Sequence, residues 1–285
     1  MLWFLHYFEP KFKKSDITIV KTEKELAMEI ITSKNNPAVV AAAKLSDKKY
    51  RERTQTFAFE GIKLFMEAFS AGVRFSRVFA TEDAYRKYEE SLAVLPSGVL
   101  SVVSDAVYEK LSFEHAPQGV FCVAEYFSVQ SSEDASFVIL LDGVADPGNF
   151  GAVLRSAEAF GVDTVYMGKN GADLYNPKTV RACMGSLFRT DIKRSDDIVG
   201  EIARLQKNGF RIFATALDKR SLDIRKVDFS GKVGFVIGNE GHGVSPEAIE
   251  ACDGTVIIPM CEGPESLNAA VASSVVMWEA ARNRL

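Results

Sequence analysis

Five consecutive apolar residues at 137–141, FVILL, predict a strand buried on both faces, as in a parallel sheet with helices on either side. The loop DGVADPGN then leads into helical periodicity over 150–160, with Gly161 placed as a C-cap. Further apolar runs predict strands at 162–167, 210–214, 233–237 and 255–258, followed by a last helix over 267–282. Strands alternating with helices imply an α/β region built on a parallel sheet.

Upstream, shorter elements predict a separate small α/β domain over residues 30–127. Asn36-Pro37 reads as a helix start, with Asn as the cap and Pro at the first helical position. Lys44, Lys48 and Arg51 follow at i, i+4 and i+7, which would set three cations on one helical face. Such a face is either solvated surface or a phosphate-binding stripe. A second helix is expected at 62–70, stopped by Gly72, and short strands at 77–80, 98–103 and 119–124. The polar stretch SVQSSEDAS, 128–136, reads as a linker to a second domain at 137–285. Residues 1–29 have mixed charge and no period, and read as an N-terminal extension.

Composition narrows the class. The 285 residues are 47% hydrophobic and 25% charged, a globular mix, and no apolar run reaches the ~20 residues of a membrane span. The opening MLWFLHYF lacks the basic leader of a signal peptide, so a cytoplasmic protein is expected. Cys122, Cys183, Cys252, Cys261 and the three histidines show no metal-ligand spacing, so neither zinc nor a disulfide framework is expected. The net charge of −4 argues against a protein that coats nucleic acid, yet residues 34–77 carry nine Lys and Arg against four acids. A local patch of that kind is what phosphate binding needs.

Three glycine-rich loops directly follow predicted strands, where ligands bind in open α/β sheets. They are Asp146-Pro147-Gly148-Asn149-Phe150-Gly151, with Arg155 four residues on; Gly238-Asn239-Glu240-Gly241-His242-Gly243; and the segment 259–268, PMCEGPESLN. Residues 238–243 give GxxGxG and not the GxGxxG of dinucleotide sites, and no P-loop or GxSxG elbow occurs. Backbone groups of these loops would therefore do most of the gripping.

Together, LDGVADPGNFGAVLRSAEAFGVDTVYMG, FVIGNEGHGVS and IIPMCEGPESLNAAVASS resemble motifs 1, 2 and 3 of the SpoU/TrmH family of RNA ribose 2′-O-methyltransferases, in the SPOUT superfamily. The resemblance spans about residues 30–285. It implies a SPOUT-type parallel sheet with a deep C-terminal trefoil knot, preceded by a ribosomal-protein-like α/β substrate-binding domain. The resemblance implies S-adenosylmethionine as cofactor, no metal, and a homodimer paired through the catalytic domain. The family's catalytic positions match Asn149, Arg155, Glu240, Ser266 and Asn268. Its cofactor contacts fall on Thr215, Ala216, Leu217, Gly238, Asn239, Gly241, Ile258, Met260, Ser266 and Leu267, and Arg155 would also touch RNA beside Lys44, Lys48 and Arg51. Arg155 is proposed in that family to activate the hydroxyl; a guanidinium is a poor base by ordinary rules, so a phosphate clamp is the other reading. Ser266 could also be only the cap of the last helix. The expected substrate is 23S ribosomal RNA, with transfer RNA or a non-catalytic RNA-binding role as alternatives.

Overall fold

The computed structural model describes residues 30–132, 134–217, 220–261, 266–282 and 284. The expected extension at 1–29 and residues 262–265 of the third glycine-rich loop lie outside the described residues. The N-terminal unit runs β1 (Ile30–Ile31), α1 (Pro37–Ala43), α2 (Lys48–Thr54), β2 (Thr56–Glu60), α3 (Ile62–Ser70) and β3 (Phe75–Thr81). It continues with α4 (Glu82–Lys87), α5 (Glu89–Leu92), β4 (Leu100–Val103), α6 (Asp105–Leu111) and β5 (Val120–Glu125). Its mixed sheet has the order β1-β4-β3-β5-β2, with β5 antiparallel to both β3 and β2. Side chains alternate between two cores, as the pleat demands. Val120, Cys122 and Ala124 enter one, while Phe121 and Val123 enter the other beneath α1 and α6.

The helix expected to carry Lys44, Lys48 and Arg51 is two helices. α1 ends at Ala43, a 3₁₀ turn covers Lys44–Ser46, and Asp47 caps α2 by accepting from the Tyr50 amide at 2.8 Å. The break turns α2 so that the three cations share no face. Lys44 and Lys48 are exposed, whereas Arg51 is only 1% exposed. Arg51 Nη1 donates to the carbonyls of Leu45 at 2.6 Å and Ser46 at 2.8 Å, and Nη2 donates to Asp173 at 2.6 Å. The expectation that Arg51 meets RNA is thus corrected: it is an internal clasp.

The C-terminal unit runs β6 (Phe137–Asp142), α7 (Pro147–Ala159), β7 (Thr164–Met167), α8 (Pro177–Cys183), β8 (Asp191–Arg194) and α9 (Ile198–Lys207). After these come β9 (Arg211–Thr215), β10 (Leu222–Asp223), β11 (Val233–Gly238), α10 (Pro246–Ala251), β12 (Gly254–Ile257) and α11 (Ala269–Ala281). The sheet order is β10-β12-β9-β11-β6-β7-β8, with every described pairing parallel, as the sequence pattern implied. Phe137, Ile139 and Leu141 of β6 join the core under α7 and α11, and Val138 and Leu140 join the core under α9 and α10. The apolar run at 137–141 is therefore buried on both sides.

The two units share one core. Phe57 and Phe59 of β2 pack against Tyr175 and Phe188 of the C-terminal unit, with ring centroids 4.6 and 5.5 Å apart, and Tyr126 stacks on Tyr175 at 3.9 Å. Around this seam lie the ion pairs Arg51–Asp173, Arg181–Glu114, and Arg189 with both Glu67 and Glu158. Gly185, at φ +98°, makes the turn that brings Arg189 there; a Cβ at that position would stand 3.1 Å from Glu67.

Candidate active site

Parallel strands place all their C-terminal ends on one edge of the sheet. The strand order changes direction at β6, which has its successor β7 on one side and the later β11 on the other. Ligands in open α/β sheets bind in the crevice at such a switch point. Here the loops after β6 and β11 flank it.

A chain of hydrogen bonds crosses this crevice. Asp146 caps α7 by accepting from the Asn149 amide at 2.8 Å, the usual job of an Asp before a helix-opening Pro. Asn149 Nδ2 donates to Glu240 Oε1 at 3.0 Å, and the amides of Ala145 and Asp146 each donate to the same carboxylate at 3.3 Å. Asn268 Nδ2 donates to Asn149 Oδ1 at 2.9 Å, while Asn268 Oδ1 caps α11 by accepting from Ala270 and Val271. Burial pushes the Glu240 carboxyl up. The hydrogen bonds from Asn149 and the backbone outweigh this and hold its pKa below the ordinary carboxylate value.

The second loop is closed on itself and pinned to the first. Asn239 and Gly243 exchange backbone hydrogen bonds at 3.0 and 2.9 Å, and Asn239 Nδ2 donates to the Gly143 carbonyl at 2.8 Å. Asn239 Oδ1 accepts from the Gly241 amide at 2.8 Å. Gly238 must be glycine for this closure, since a Cβ there would lie 2.0 Å from the Gly243 carbonyl carbon.

The remaining expected site residues are spread along the same edge. Thr215 Oγ1 donates to the Val236 carbonyl at 3.0 Å, and the Ala216 amide donates to the Val256 carbonyl at 3.3 Å. Ile258 is half-buried. Leu217 is 65% exposed, and Met260 and Leu267 are 37% exposed each. Ser266 is exposed and does not cap α11; Asn268 does. Arg155 is exposed on α7, and among the described residues it has no hydrogen-bond or ion-pair partner. The structure thus joins Asn149, Glu240 and Asn268 and leaves Arg155 outside their chain.

Sequence reasoning missed Asp146 as a cap, although Asp before Pro signals it. It also missed Asp142, whose carboxylate accepts from the Ser245 amide at 2.8 Å, and Asp173, whose partner Arg51 is 122 positions away. Among the described residues no His, Cys, Asp and Glu group could hold a metal ion, and no helix is long and apolar enough to cross a membrane.

A polar chain across the switch point, beside uncovered apolar side chains, is the layout of a small-molecule-binding α/β enzyme. The chain belongs to the SpoU rRNA Methylase family, whose sequence pattern matches residues 136–278. Residues 36–122 match the MRM3-like substrate binding domain. The chain is 29% identical over 252 residues to the 23S rRNA guanosine 2′-O-methyltransferase RlmP of Bacillus subtilis strain 168, covering 88% of this chain and 98% of that protein. It is 30% identical over 209 residues to the 23S rRNA guanosine 2′-O-methyltransferase RlmB of Acinetobacter baylyi, covering 72% of this chain and 79% of that one. The crystal structure of an AdoMet-bound rRNA methyltransferase from Sinorhizobium meliloti superposes with a TM-score of 0.80 at 28% identity, over 90% of this chain and 99% of that chain.

Proposed function

We propose that this protein transfers a methyl group from S-adenosylmethionine to a ribose 2′-oxygen of 23S ribosomal RNA, in the cytoplasm. The observation that carries the reading is the Asn149–Glu240–Asn268 chain, which ties three loops together across the β6/β11 switch point. Residues 30–127 serve as the RNA-binding domain, 128–136 as the link and 137–285 as the catalytic domain.

The site suits the cofactor. Leu217, Met260 and Leu267 leave large apolar surfaces uncovered at the ends of β9 and β12 and ahead of α11, an environment for an adenine ring. Backbone at Thr215, Ala216, Gly238, Asn239, Gly241 and Ile258 would hold the rest, with Ser266 beside Leu267. When bound, the cofactor supplies a methyl group on a positively charged sulfur that is already a good leaving group.

The chain's own residues then have to place the ribose oxygen. Asn149, held from both sides, fixes the first loop against the second and against the start of α11. Glu240 accepts from Asn149 and from both backbone amides, so we assign it to hold the two loops together. Arg155 offers donors and no acceptor. We assign it to clamp an RNA phosphate and steer the hydroxyl in line, the kind of positioning that lowers a barrier through orientation.

Two further parts of the reading concern assembly. The return of the chain from β12 to α11 beside α7 supports the deep knot. The face of α11 carrying Val271, Val275 and Trp278 is open, with exposures of 50%, 36% and 50%, and it supports a homodimer through the catalytic domain. Mapping of ribose methylation in total RNA from a deletion strain and its parent tests the activity. Loss of one 23S site is expected, and an unchanged map overturns the proposal. Light scattering of Trp278→Glu against wild type tests the dimer.

A further inference from the structure

The N-terminal unit contains a second concave site. Between α1, α2 and the sheet lies a cavity of about 340 Å³, within the ~300–1,000 Å³ range of small-molecule sites. Ala42, Leu45, Phe79 and Val123 give it apolar lining, and Thr54, Thr56 and Ser76 add hydroxyls, which already bond to one another or to the Tyr50 and Val123 carbonyls. Tyr50 also lines it. Its ring has the Arg53 guanidinium 4.9 Å and the Lys44 ammonium 5.9 Å from the centroid. Arg77 also lines the cavity. Among the described residues Lys44, Arg53 and Arg77 have no carboxylate partner.

An apolar slot, an aromatic face, side-chain hydroxyls and three unneutralised cations match the parts of a nucleotide. Single-stranded nucleic acid is held in this way, by bases on aromatic rings and phosphates on cations. We infer that this cavity takes one unstacked base of the RNA substrate, with the flanking phosphates on Lys44 and Arg53.

The cavity is also fixed relative to the crevice. Arg51 joins the cavity-wall segment, through the Leu45 carbonyl, to Asp173, and the neighbouring Ala172 amide donates to the Val144 carbonyl at 2.8 Å in the loop after β6. A base seated here therefore sets the RNA at a constant offset from Asn149. It is a positioning site and takes no part in the transfer.

The inference rests on RNA being the substrate, and the test separates the two. Ala41→Phe fills the cavity from the exposed face of α1, and Ser76→Glu places a negative charge at its mouth. The probe is a 23S ribosomal RNA transcript substituted with 5-iodouridine, irradiated on the enzyme, with the crosslinked peptide read by mass spectrometry. Methyl transfer to the unmodified transcript gives KM and kcat. A crosslink on the peptide containing Tyr50 is expected in wild type and absent in both variants. KM for RNA should rise about tenfold, the low end of what one stacked base contributes, with kcat much less affected. A wild-type enzyme that methylates but crosslinks elsewhere overturns the inference, as does an unchanged KM in both variants. A wild type that crosslinks at Tyr50 yet transfers no methyl group overturns the methyltransferase reading and leaves the base site standing.

Discussion

The seam between the two units and the C-terminal edge of the larger sheet treat arginine in opposite ways. At the seam, Arg51 is enclosed by two carbonyls and a carboxylate, amid stacked aromatic rings. At the edge, Arg155 stands exposed with no partner among the described residues. Both sit on helices, and in the sequence both read as cations that could meet phosphate, Arg155 also as a match to a catalytic position. What separates them is the supply of acceptors from elsewhere in the fold. A guanidinium whose Nη groups are held by protein acceptors rigidifies, even with its buried Nε unpartnered, and one left to solvent stays free to bind.

The largest effect should come from breaking the seam. Arg51→Ala leaves Asp173, itself 13% exposed, without its counter-ion. A loss of about 3–5 kcal/mol is expected in urea unfolding, as for other half-broken buried pairs. The slope of RNA affinity against salt should not change. Stability within about 1 kcal/mol of wild type would remove the clasp from the account of the seam.

The edge should respond in the reverse sense. Arg155→Ala and Arg155→Lys should each lower single-turnover methyl transfer on the order of 10²-fold, because Lys lacks the planar fork that holds two oxygens at once. Thermal midpoint and calorimetric affinity for S-adenosylmethionine should stay near wild type. Methyl transfer by the Ala variant at a near-normal rate would exclude Arg155 from the reaction.

A smaller effect is expected at Glu240, between these extremes. Its carboxylate pKa is lowered on folding, so its stabilisation is complete above the ordinary carboxylate range and fades as pH falls through the lowered value. Glu240→Gln would set its amide donor either against the Ala145 amide or against the Asp146 amide and Asn149, and should slow transfer about tenfold. Its urea midpoint should lie below wild type at neutral pH and meet it in acid. A gap that widens on acidification would contradict the sign. The smallest effect belongs to the exposed cations that remain on the N-terminal unit. Lys44→Ala with Lys48→Ala should lower the log–log salt slope of RNA binding by ~0.7 for each phosphate no longer neutralised, and an unchanged slope would return both to solvated surface.

Five of the seven strands of the larger sheet were readable, because burial on both faces leaves an apolar run, as at 137–141. The two edge strands β8 and β10 were not, since each is short and partly exposed. The ends of helices were also less readable. α7 begins at Pro147, ahead of its apolar periodicity, and α11 begins after Asn268, because caps decide where helices start. The break between α1 and α2 left a signal in Ser46-Asp47, an N-cap pair that cation spacing alone overrides. The glycine-rich loops were visible as chemistry, but the Asn149–Glu240–Asn268 chain joins positions 91 and 119 apart. Only the strand order brings those loops together. Arg51 is the extreme case, since its own segment holds nothing that says whether it faces water.

The shared aromatic seam also sets how the molecule would come apart. Cutting the chain at 128–136 would leave Phe57, Phe59, Tyr175 and Phe188 still interlocked, so the two fragments should copurify and melt as one. The same interlock limits modular exchange. A foreign N-terminal unit grafted onto residues 137–285 would need its own matching rings, or Tyr175 and Phe188 would be stripped bare.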